Sequence, residues 1–211
     1  MVCSKDFEKI NIKMADYALK QVSTFKYLGS TITEDGKNRE DIRQRIREAK
    51  VMFYNKRQLL CSNNLSLEMK RALIKSCTWS VALYGSETWT LGKTEEKVIN
   101  AFETWCWRRI LKIKWTDRIT NEEVFQRVKE ERLLLKMLNN RRYSWIGHII
   151  RNNEFVVNIM ERAISGKKAM GRPRLQYLKQ VARNKDADSY TAMKKIACNK
   201  SRWKAANQSK D

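Results

Sequence analysis

The side chains that most often perform chemistry in proteins are sparse in this sequence. His148 is the single histidine, and no cysteine is near enough in sequence to join it in a closely spaced Cys/His zinc site. We expect it to pack or hydrogen-bond or, as a second reading, to contact nucleic acid. The glutamate pairs at 95–96, 122–123 and 130–131 fall at or near predicted helix starts, where negative charge is favourable. We therefore expect no catalytic residue, no metal site and no cofactor.

The chemistry that the sequence favours is the binding of a polyanion. The 211 residues carry 44 Lys and Arg against 23 Asp and Glu, which gives a net charge of +21 and a pI near 10.0. Solubility alone does not require so large an excess. Cationic side chains neutralise phosphates and release counterions, so the expected partner is nucleic acid, as RNA, DNA or hybrid duplex. We expect neither a small-molecule substrate nor a membrane partner.

Arginine supplies the candidate phosphate contacts, and little reading of the base sequence is expected from them. These candidates are Arg43, Arg45, Arg108, Arg109, Arg141, Arg142, Arg151, Arg172 and Arg174. For the helix that contains Arg43 and Arg45, the competing interpretation is an ordinary solvated face. The basic excess lies mostly in the second half of the chain.

Tryptophans and one short basic motif could add contacts to bases. Trp105, Trp107, Trp115 and Trp145 are able to stack on unpaired bases. Trp105 falls on an apolar helical stripe and is expected in the core, whereas Trp107 fits either the core or the surface. The motif GRPR at 171–174 resembles the core of an AT-hook, which binds the narrow minor groove of A·T duplex. It is alternatively a solvated linker that contacts phosphates.

Composition favours a folded, helical protein. The chain is 42% hydrophobic and 9% aromatic, which excludes a disordered basic tail. One proline and seven glycines are too few for a barrel or sandwich built on tight turns. No apolar run is long enough for a membrane span, and the first residues lack the apolar core of a signal peptide, so we expect a soluble intracellular chain. The five scattered cysteines predict reduced, buried thiols.

The N-terminal third changes from a strand pattern to a helix pattern. Residues 10–13 and 22–33 are rich in β-branched and aromatic side chains, which predicts a small hairpin or meander. A turn follows at 35–36. The apolar side chains that come next are spaced as on one face of a helix, with cations on the other faces. They are Ile42, Ile46, Ala49, Phe53 and Leu60.

Further helices are marked by their ends. Ser66 is the predicted N-cap of a second helix, and Gly85 can supply its left-handed C-terminal residue. A third helix begins at Thr94 and ends near Lys112 and Lys114, cations that suit a helix C-terminus. The fold class that we predict is mainly α: a small N-terminal β-hairpin or meander, a helical bundle and a basic helical C-terminal region.

The second half of the chain continues in the same way. Thr120 and Glu123 form a capping box that opens a short helix. Another helix contains residues 141–151, which are apolar on one side and rich in arginine at both ends. Residues 165–174 hold the single proline and many cations, which is typical of a linker. Weaker helical patterns follow at 175–184 and 190–206.

Six short motifs occur in a fixed order along most of the chain. They are FKYLGSTIT at 25–33, LYGSETW at 83–89, CWRRIL at 106–111, WTDRITN at 115–121, RYSWIGHIIR at 142–151 and GRPR at 171–174. Together they resemble the C-terminal part of a non-LTR (LINE-type) retrotransposon endonuclease–reverse transcriptase. The resemblance covers nearly all 211 residues.

The resemblance implies a division of the chain by function. Residues 1–36 would form a β-hairpin at the edge of the palm, 37–115 a thumb-like helical bundle, 116–164 a basic helical region, 165–174 a basic linker and 175–211 C-terminal helices. The primer-grip-like residues, which help to seat the primer end in that family, would be Phe25, Lys26, Tyr27, Leu28 and Gly29. The family also implies a nuclear location.

The resemblance starts downstream of the catalytic residues of that family. RNA-directed DNA polymerases hold two metal ions with palm aspartates, and this chain contains no Asp-Asp pair. We therefore expect a truncated reverse transcriptase-like protein that binds nucleic acid without being a polymerase by itself. Two alternatives remain: a chromatin-associated module that binds A·T duplex through GRPR, and an inert transposon remnant with exposed apolar surface.

Overall fold

The computed structural model describes residues 11–14, 17–161, 177–183 and 189–208. These residues are mainly helical, with β-hairpins near the N-terminus, which confirms the predicted fold class. The chain divides into two compact units. Unit 1 comprises residues 1–85 and 91–134, and unit 2 comprises residues 86–90 and 135–211. The functional division drawn from the resemblance stays a prediction.

Two antiparallel hairpins open unit 1. Strand β1 (Lys13–Met14) pairs with β2 (Tyr17–Ala18), and β3 (Thr24–Tyr27) pairs with β4 (Ser30–Thr33). The strand pattern at 22–33 is therefore one hairpin, whose two turn residues are Leu28 and Gly29. Both have positive φ, 46° and 84°, which is the geometry of a type I′ turn.

The first long helix confirms the predicted apolar face. Helix α1 (Arg39–Asn55) is followed by the short α2 (Arg57–Leu60). All five predicted apolar positions, from Ile42 to Leu60, are buried. The buried Asp41 carboxylate accepts a hydrogen bond from the Thr31 backbone N–H at 2.8 Å, which fastens β4 to the start of α1.

The predicted second helix is interrupted in its middle. Helix α3 (Leu67–Leu73) passes through a π-helical turn at Ile74–Trp79 into α4 (Ser80–Ala82). The Ser66 hydroxyl accepts the Met69 N–H at 3.2 Å, so Ser66 is the N-cap, and Gly85 has a φ of +69° as predicted. The Ser80 hydroxyl donates to the Ser76 carbonyl at 2.6 Å, so it competes with the backbone hydrogen bonds of the helix at this point. The spacing of apolar residues does not reveal such a competition.

Two further helices complete unit 1. Helix α5 (Lys93–Ile110) is joined by a 3₁₀ turn (Trp115–Asp117) to α6 (Asn121–Val128). The Thr120 hydroxyl accepts the Glu123 N–H at 3.3 Å, so the N-cap half of the predicted capping box is present, while the Glu123 carboxylate pairs with Arg127 at 2.8 Å. Trp107 is fully buried and meets Trp79 edge to face, with ring centroids 5.7 Å apart. These rings form part of the core of unit 1.

Unit 2 contains a second core. Its elements are a 3₁₀ turn (Ser86–Thr88), α7 (Leu134–Asn152), α8 (Glu154–Met160), α9 (Tyr177–Arg183), α10 (Tyr190–Ala197) and α11 (Lys200–Gln208). Buried side chains from α7, α9, α10 and α11 pack together. The Tyr143 and Trp203 rings stack with centroids 3.6 Å apart. Gly147, one helical turn after Tyr143, leaves room for the Trp203 ring.

The cysteines differ from the prediction of buried thiols. The four described cysteines are free, but only Cys106 is buried; Cys61 and Cys77 are half-buried and Cys198 is exposed. Burial raises the pKa of the Cys106 thiol, which keeps it unreactive.

None of the helices in the described part of the chain is long and apolar enough to span a membrane.

Candidate nucleic-acid interface

The seven predicted phosphate contacts that the structure describes fall into three groups by exposure. Arg43 and Arg109 are exposed, and Arg43 forms an ion pair with Glu40 at 3.0 Å. Arg108, Arg141 and Arg151 are half-buried. Arg172 and Arg174, with the GRPR motif, lie outside the described residues. The remaining two candidates, Arg45 and Arg142, are buried.

Arg45 has a structural task inside unit 1. Its residue exposure is only 7%. One guanidinium nitrogen donates to the Gly29 carbonyl at 2.5 Å, and another pairs with Glu48 at 3.0 Å. Its guanidinium also lies over the Tyr84 ring, 4.4 Å from the centroid. Arg45 therefore holds the hairpin turn against α1, and we remove it from the candidate phosphate contacts.

Arg142 has a comparable task inside unit 2. It is 1% exposed and donates to the Gln180 side-chain oxygen at 2.9 Å. Its guanidinium lies over the Tyr177 ring at 4.9 Å. The prediction that Arg142 contacts phosphate is corrected, because it joins α7 to α9 within the core of unit 2.

The primer-grip-like residues occupy an exposed hairpin. Phe25 and Tyr27 are about half exposed, and Leu28 at the tip is 75% exposed. Lys26 extends its amine to within 4.0 Å of the Glu48 carboxylate and stays largely exposed. The hairpin therefore offers aromatic and apolar side chains at its surface, while Arg45 fixes the carbonyl of Gly29.

Cationic and aromatic side chains converge in one groove of unit 1, which we call the aromatic–basic groove. It has a volume of about 710 Å³ and is lined by the C-terminal part of α1, α2 and the C-terminal end of α5 with the turn that follows. Its cations are Arg57, Arg108, Arg109, Lys112 and Lys114, and its aromatic rings are Phe53, Tyr54, Trp105 and Trp115.

The end of α5 explains how the chain places these cations. The Lys112 N–H donates to the Arg109 carbonyl at 3.2 Å, and the Ile113 N–H donates to the Arg108 carbonyl at 2.9 Å. Lys112 has a φ of +57°, so these bonds form a Schellman motif that ends the helix. Four of the five groove cations, all except Arg57 of α2, thus lie in or directly after the last turn of α5, near the negative end of its dipole, which is favourable for positive charge.

Trp105 forms an inner wall of the groove. Its ring packs edge to face against Phe53 at 5.0 Å and stacks beside Phe102 at 6.1 Å. The Lys50 amine and the Arg109 guanidinium lie over the same ring, at 5.3 and 5.6 Å from its centroid. Trp105 is thus half-buried, in partial agreement with its prediction as a core residue.

The other tryptophans separate clearly between core and surface. Trp107, for which the sequence left both readings open, is in the core. Trp145 is half-buried and packs on the core of unit 2, with its ring 6.4 Å from that of Tyr177. Trp115, in contrast, is 88% exposed at the edge of the aromatic–basic groove.

Two of the groove cations donate hydrogen bonds to uncharged groups of unit 1. Arg108 donates to the Ile119 carbonyl at 2.9 Å and Lys112 to the Asn63 side-chain oxygen at 2.8 Å, both uncharged acceptors. Within the part of the chain that the structure describes, none of the five groove cations forms an ion pair with an acidic side chain. The groove therefore presents net positive charge to an incoming anion.

Sequence reasoning missed several residues of this groove. In the sequence, Lys112 and Lys114 fit a helix end and Arg57 fits the polar side of a helix, and Tyr54 belongs to no distinctive motif. The usable signal was the sequence KIKW at 112–115, where cations and an aromatic side chain follow directly on the end of a predicted helix.

His148 is exposed on α7, and its Nδ1 lies 3.3 Å from the Asn152 side-chain amide nitrogen. This agrees with the hydrogen-bonding role expected for it. Over the described ranges, no group of three or more His, Cys, Asp or Glu side chains is arranged to hold a metal ion.

Comparison of the chain with protein-family models, curated proteins and solved structures gives no significant match.

Proposed function

We propose that this chain is a reverse transcriptase-like protein of a non-LTR retrotransposon that binds nucleic acid and does not polymerise it. The ordered series of six motifs, from FKYLGSTIT to GRPR, supports the family. The missing Asp-Asp pair supports the lack of polymerase activity, because two-metal phosphoryl transfer needs such carboxylates. The nuclear location implied by the family belongs to the same proposal.

The observation that carries the binding proposal is the aromatic–basic groove. Five cations line it, with no carboxylate among the lining residues that the structure describes. Each cation that contacts a phosphate releases counterions, so affinity falls with salt by a logarithmic slope of roughly 0.7 to 0.9 per contact. Contacts of this kind position a nucleic acid without reading its sequence.

The proposal is tested by fluorescence anisotropy with the purified chain and three labelled probes at two salt concentrations. The probes are an RNA–DNA primer–template, an A·T duplex and a G·C duplex. We expect tight binding at low salt, a steep decrease at high salt and a preference for the primer–template. Failure to bind any probe at low salt would overturn the proposal, and preference for A·T over G·C duplex would favour the A·T-binding alternative instead.

The lack of polymerase activity has its own assay. The chain is incubated with the primer–template, nucleoside triphosphates and Mg²⁺ or Mn²⁺, and primer extension is followed by gel. We expect no template-dependent incorporation. Extension by the purified chain would contradict this part of the proposal and leave the binding part standing.

A further inference from the structure

Trp115 is an exposed aromatic side chain with a defined backbone. It begins the 3₁₀ turn that follows α5, and 88% of its surface is accessible. The turn is held by the Asp117 carboxylate, which accepts the Lys114 backbone N–H at 2.7 Å. Tryptophan is among the most buried side chains on average, so its exposure beside a cationic groove indicates a binding surface.

Trp115 differs from the other tryptophan of the groove in having a free face. Trp105 already carries the Lys50 amine and the Arg109 guanidinium over its ring and is packed against Phe53. It therefore supports the groove wall. Tyr54, 48% exposed, meets the edge of Trp105 at 5.9 Å and adds a second accessible aromatic side chain to the groove.

We propose that the aromatic–basic groove binds a single-stranded segment of nucleic acid, with an unpaired base stacked on Trp115. The phosphates next to that base contact Arg57, Arg109 and Lys114, which line the same groove. This inference rests on the proposed function of nucleic-acid binding and names the form of nucleic acid that the groove takes.

The choice of a single strand follows from the chemistry of stacking. Phosphates are accessible in duplexes and single strands alike, so cations alone do not distinguish them. In a duplex each base face is covered by the neighbouring base pair, whereas an unpaired base offers its face to an aromatic ring whatever its sequence.

The test compares two probes that differ in the availability of base faces. One is a labelled single-stranded oligonucleotide, and the other is a duplex dumbbell whose ends are closed by loops too short to expose bases. Binding is measured by anisotropy at low salt for the wild-type chain and for Trp115→Ala, Trp115→Phe and Phe155→Ala. Phe155 is another largely exposed aromatic residue, 75% accessible, in α8 of unit 2, so its substitution is the matched control.

We expect the wild-type chain to prefer the single strand. Trp115→Ala should weaken single-strand binding by roughly 5- to 150-fold, the loss of one base–aromatic stack, and change dumbbell binding by less than about twofold. Trp115→Phe should restore most of the affinity because it keeps an aromatic face. Phe155→Ala should bind both probes like the wild type, and circular dichroism should show the same thermal unfolding for all variants, since Trp115 is exposed.

The outcomes separate this inference from the proposed function. Equal binding of both probes by the wild type, an unchanged affinity of Trp115→Ala for the single strand, or no recovery with Trp115→Phe would overturn the stacking site. Each of these results leaves nucleic-acid binding through the cations intact. Failure of the wild type to bind either probe would overturn both proposals.

Discussion

The guanidinium of Arg109 lies over the ring of Trp105, with its central carbon 5.6 Å from the ring centroid. The two residues are four positions apart on α5, one helical turn, so the helix itself brings them together. Lys50 of α1 lies over the same ring at 5.3 Å. Cation–π attraction thus holds two positive charges against the Trp105 wall of the aromatic–basic groove, and neither cation forms an ion pair with an acidic side chain among the described residues.

Removing two groove cations should reduce the salt dependence of binding. In the double variant Arg109→Gln with Lys114→Gln, we expect the slope of log affinity against log salt to decrease by roughly 1.4 to 1.8, because two phosphate contacts are lost. Lys97→Gln is the matched control, since Lys97 is exposed near the other end of α5. A slope equal to that of the wild type would show that the phosphates bind elsewhere.

Arg142 should affect stability without affecting nucleic-acid binding. Arg142→Ala removes the bond to Gln180 and leaves a cavity in the core of unit 2, so we expect the free energy of unfolding to fall by about 2–4 kcal/mol. Urea denaturation measures this loss, and the neighbouring half-buried Arg141→Ala should lose less. Under conditions in which Arg142→Ala is folded, its slope of log affinity against log salt should equal that of the wild type. A smaller slope would show that Arg142 does contact phosphate.

Gly147 should be intolerant of even one added methyl group. A Cβ at this position would overlap the ring of Trp203, whose indole N–H donates to the Tyr143 carbonyl at 3.1 Å. Gly→Ala in a helix is normally stabilising by about 0.5–1 kcal/mol. We expect Gly147→Ala to destabilise by about 1–3 kcal/mol through overpacking.

Thermal unfolding and near-UV circular dichroism measure the effect at Gly147. Ser144→Ala is the control on the exposed side of α7 and should be neutral or slightly stabilising. Stabilisation by Gly147→Ala would mean that Trp203 does not pack where the structure has it.

The turn of the exposed hairpin should improve with a different residue at its first position. Leu28 has a φ of +46°, a strained value for leucine, and is too exposed to gain much from burial. Asparagine tolerates this conformation, so we expect Leu28→Asn to raise the free energy of unfolding by about 1 kcal/mol in urea denaturation.

Gly29→Ala is the opposing variant at the same turn. Its φ is +84°, and a Cβ would lie 3.1 Å from an Arg45 guanidinium nitrogen, so it should destabilise. Destabilisation by Leu28→Asn would contradict this prediction. It would mean that the Leu28 side chain contributes packing energy despite its exposure.

Glu103 should make stability depend on pH. Its buried carboxylate accepts the backbone N–H groups of Leu133 and Leu134, at 2.8 and 3.2 Å, and burial raises its pKa above the ordinary 4.5. The native state then binds the proton more tightly than the unfolded state. This residue therefore contributes increasing stability as the pH falls from its raised pKa to about 4.5.

The Glu103→Gln variant isolates this contribution. The side-chain amide oxygen of the variant can still accept the two N–H groups, but the side chain no longer titrates. The difference in unfolding free energy between wild type and variant should therefore change between the raised pKa of Glu103 and a pH of about 4.5. Glu103→Leu leaves both N–H groups without this acceptor and should destabilise by about 2–4 kcal/mol. A pH-independent difference between wild type and Glu103→Gln would contradict the raised pKa.

Local patterns predicted the elements of this chain well. The spacing of Ile42, Ile46, Ala49 and Phe53 identified the buried face of α1, and Ser66 and Thr120 identified helix starts, because these signals depend only on neighbours in sequence. The π-helical turn at Ile74–Trp79 was not predicted, since it lies inside a continuous apolar helical pattern.

Side-chain roles that depend on distant residues were beyond the sequence. Arg45 and Arg142 look like surface cations, but Gly29, sixteen residues before Arg45, and Gln180, thirty-eight after Arg142, supply the partners that bury them. The groove likewise depends on α1 and α5 meeting through Phe53 and Trp105. The charge and aromatic content of the sequence predicted nucleic acid as the partner. Which cations and aromatic rings are accessible at the surface depends on how the helices pack, and the sequence did not reveal that packing.

The salt dependence of binding to a labelled RNA–DNA primer–template tests the central claim most directly. Anisotropy titrations of the wild-type chain at 50 and 200 mM salt give the affinity at each concentration. For about three to five phosphate contacts we predict a decrease of roughly 20- to 500-fold between them. No binding at 50 mM salt, or an affinity that does not change with salt, would contradict the claim that this chain binds nucleic acid through its groove cations.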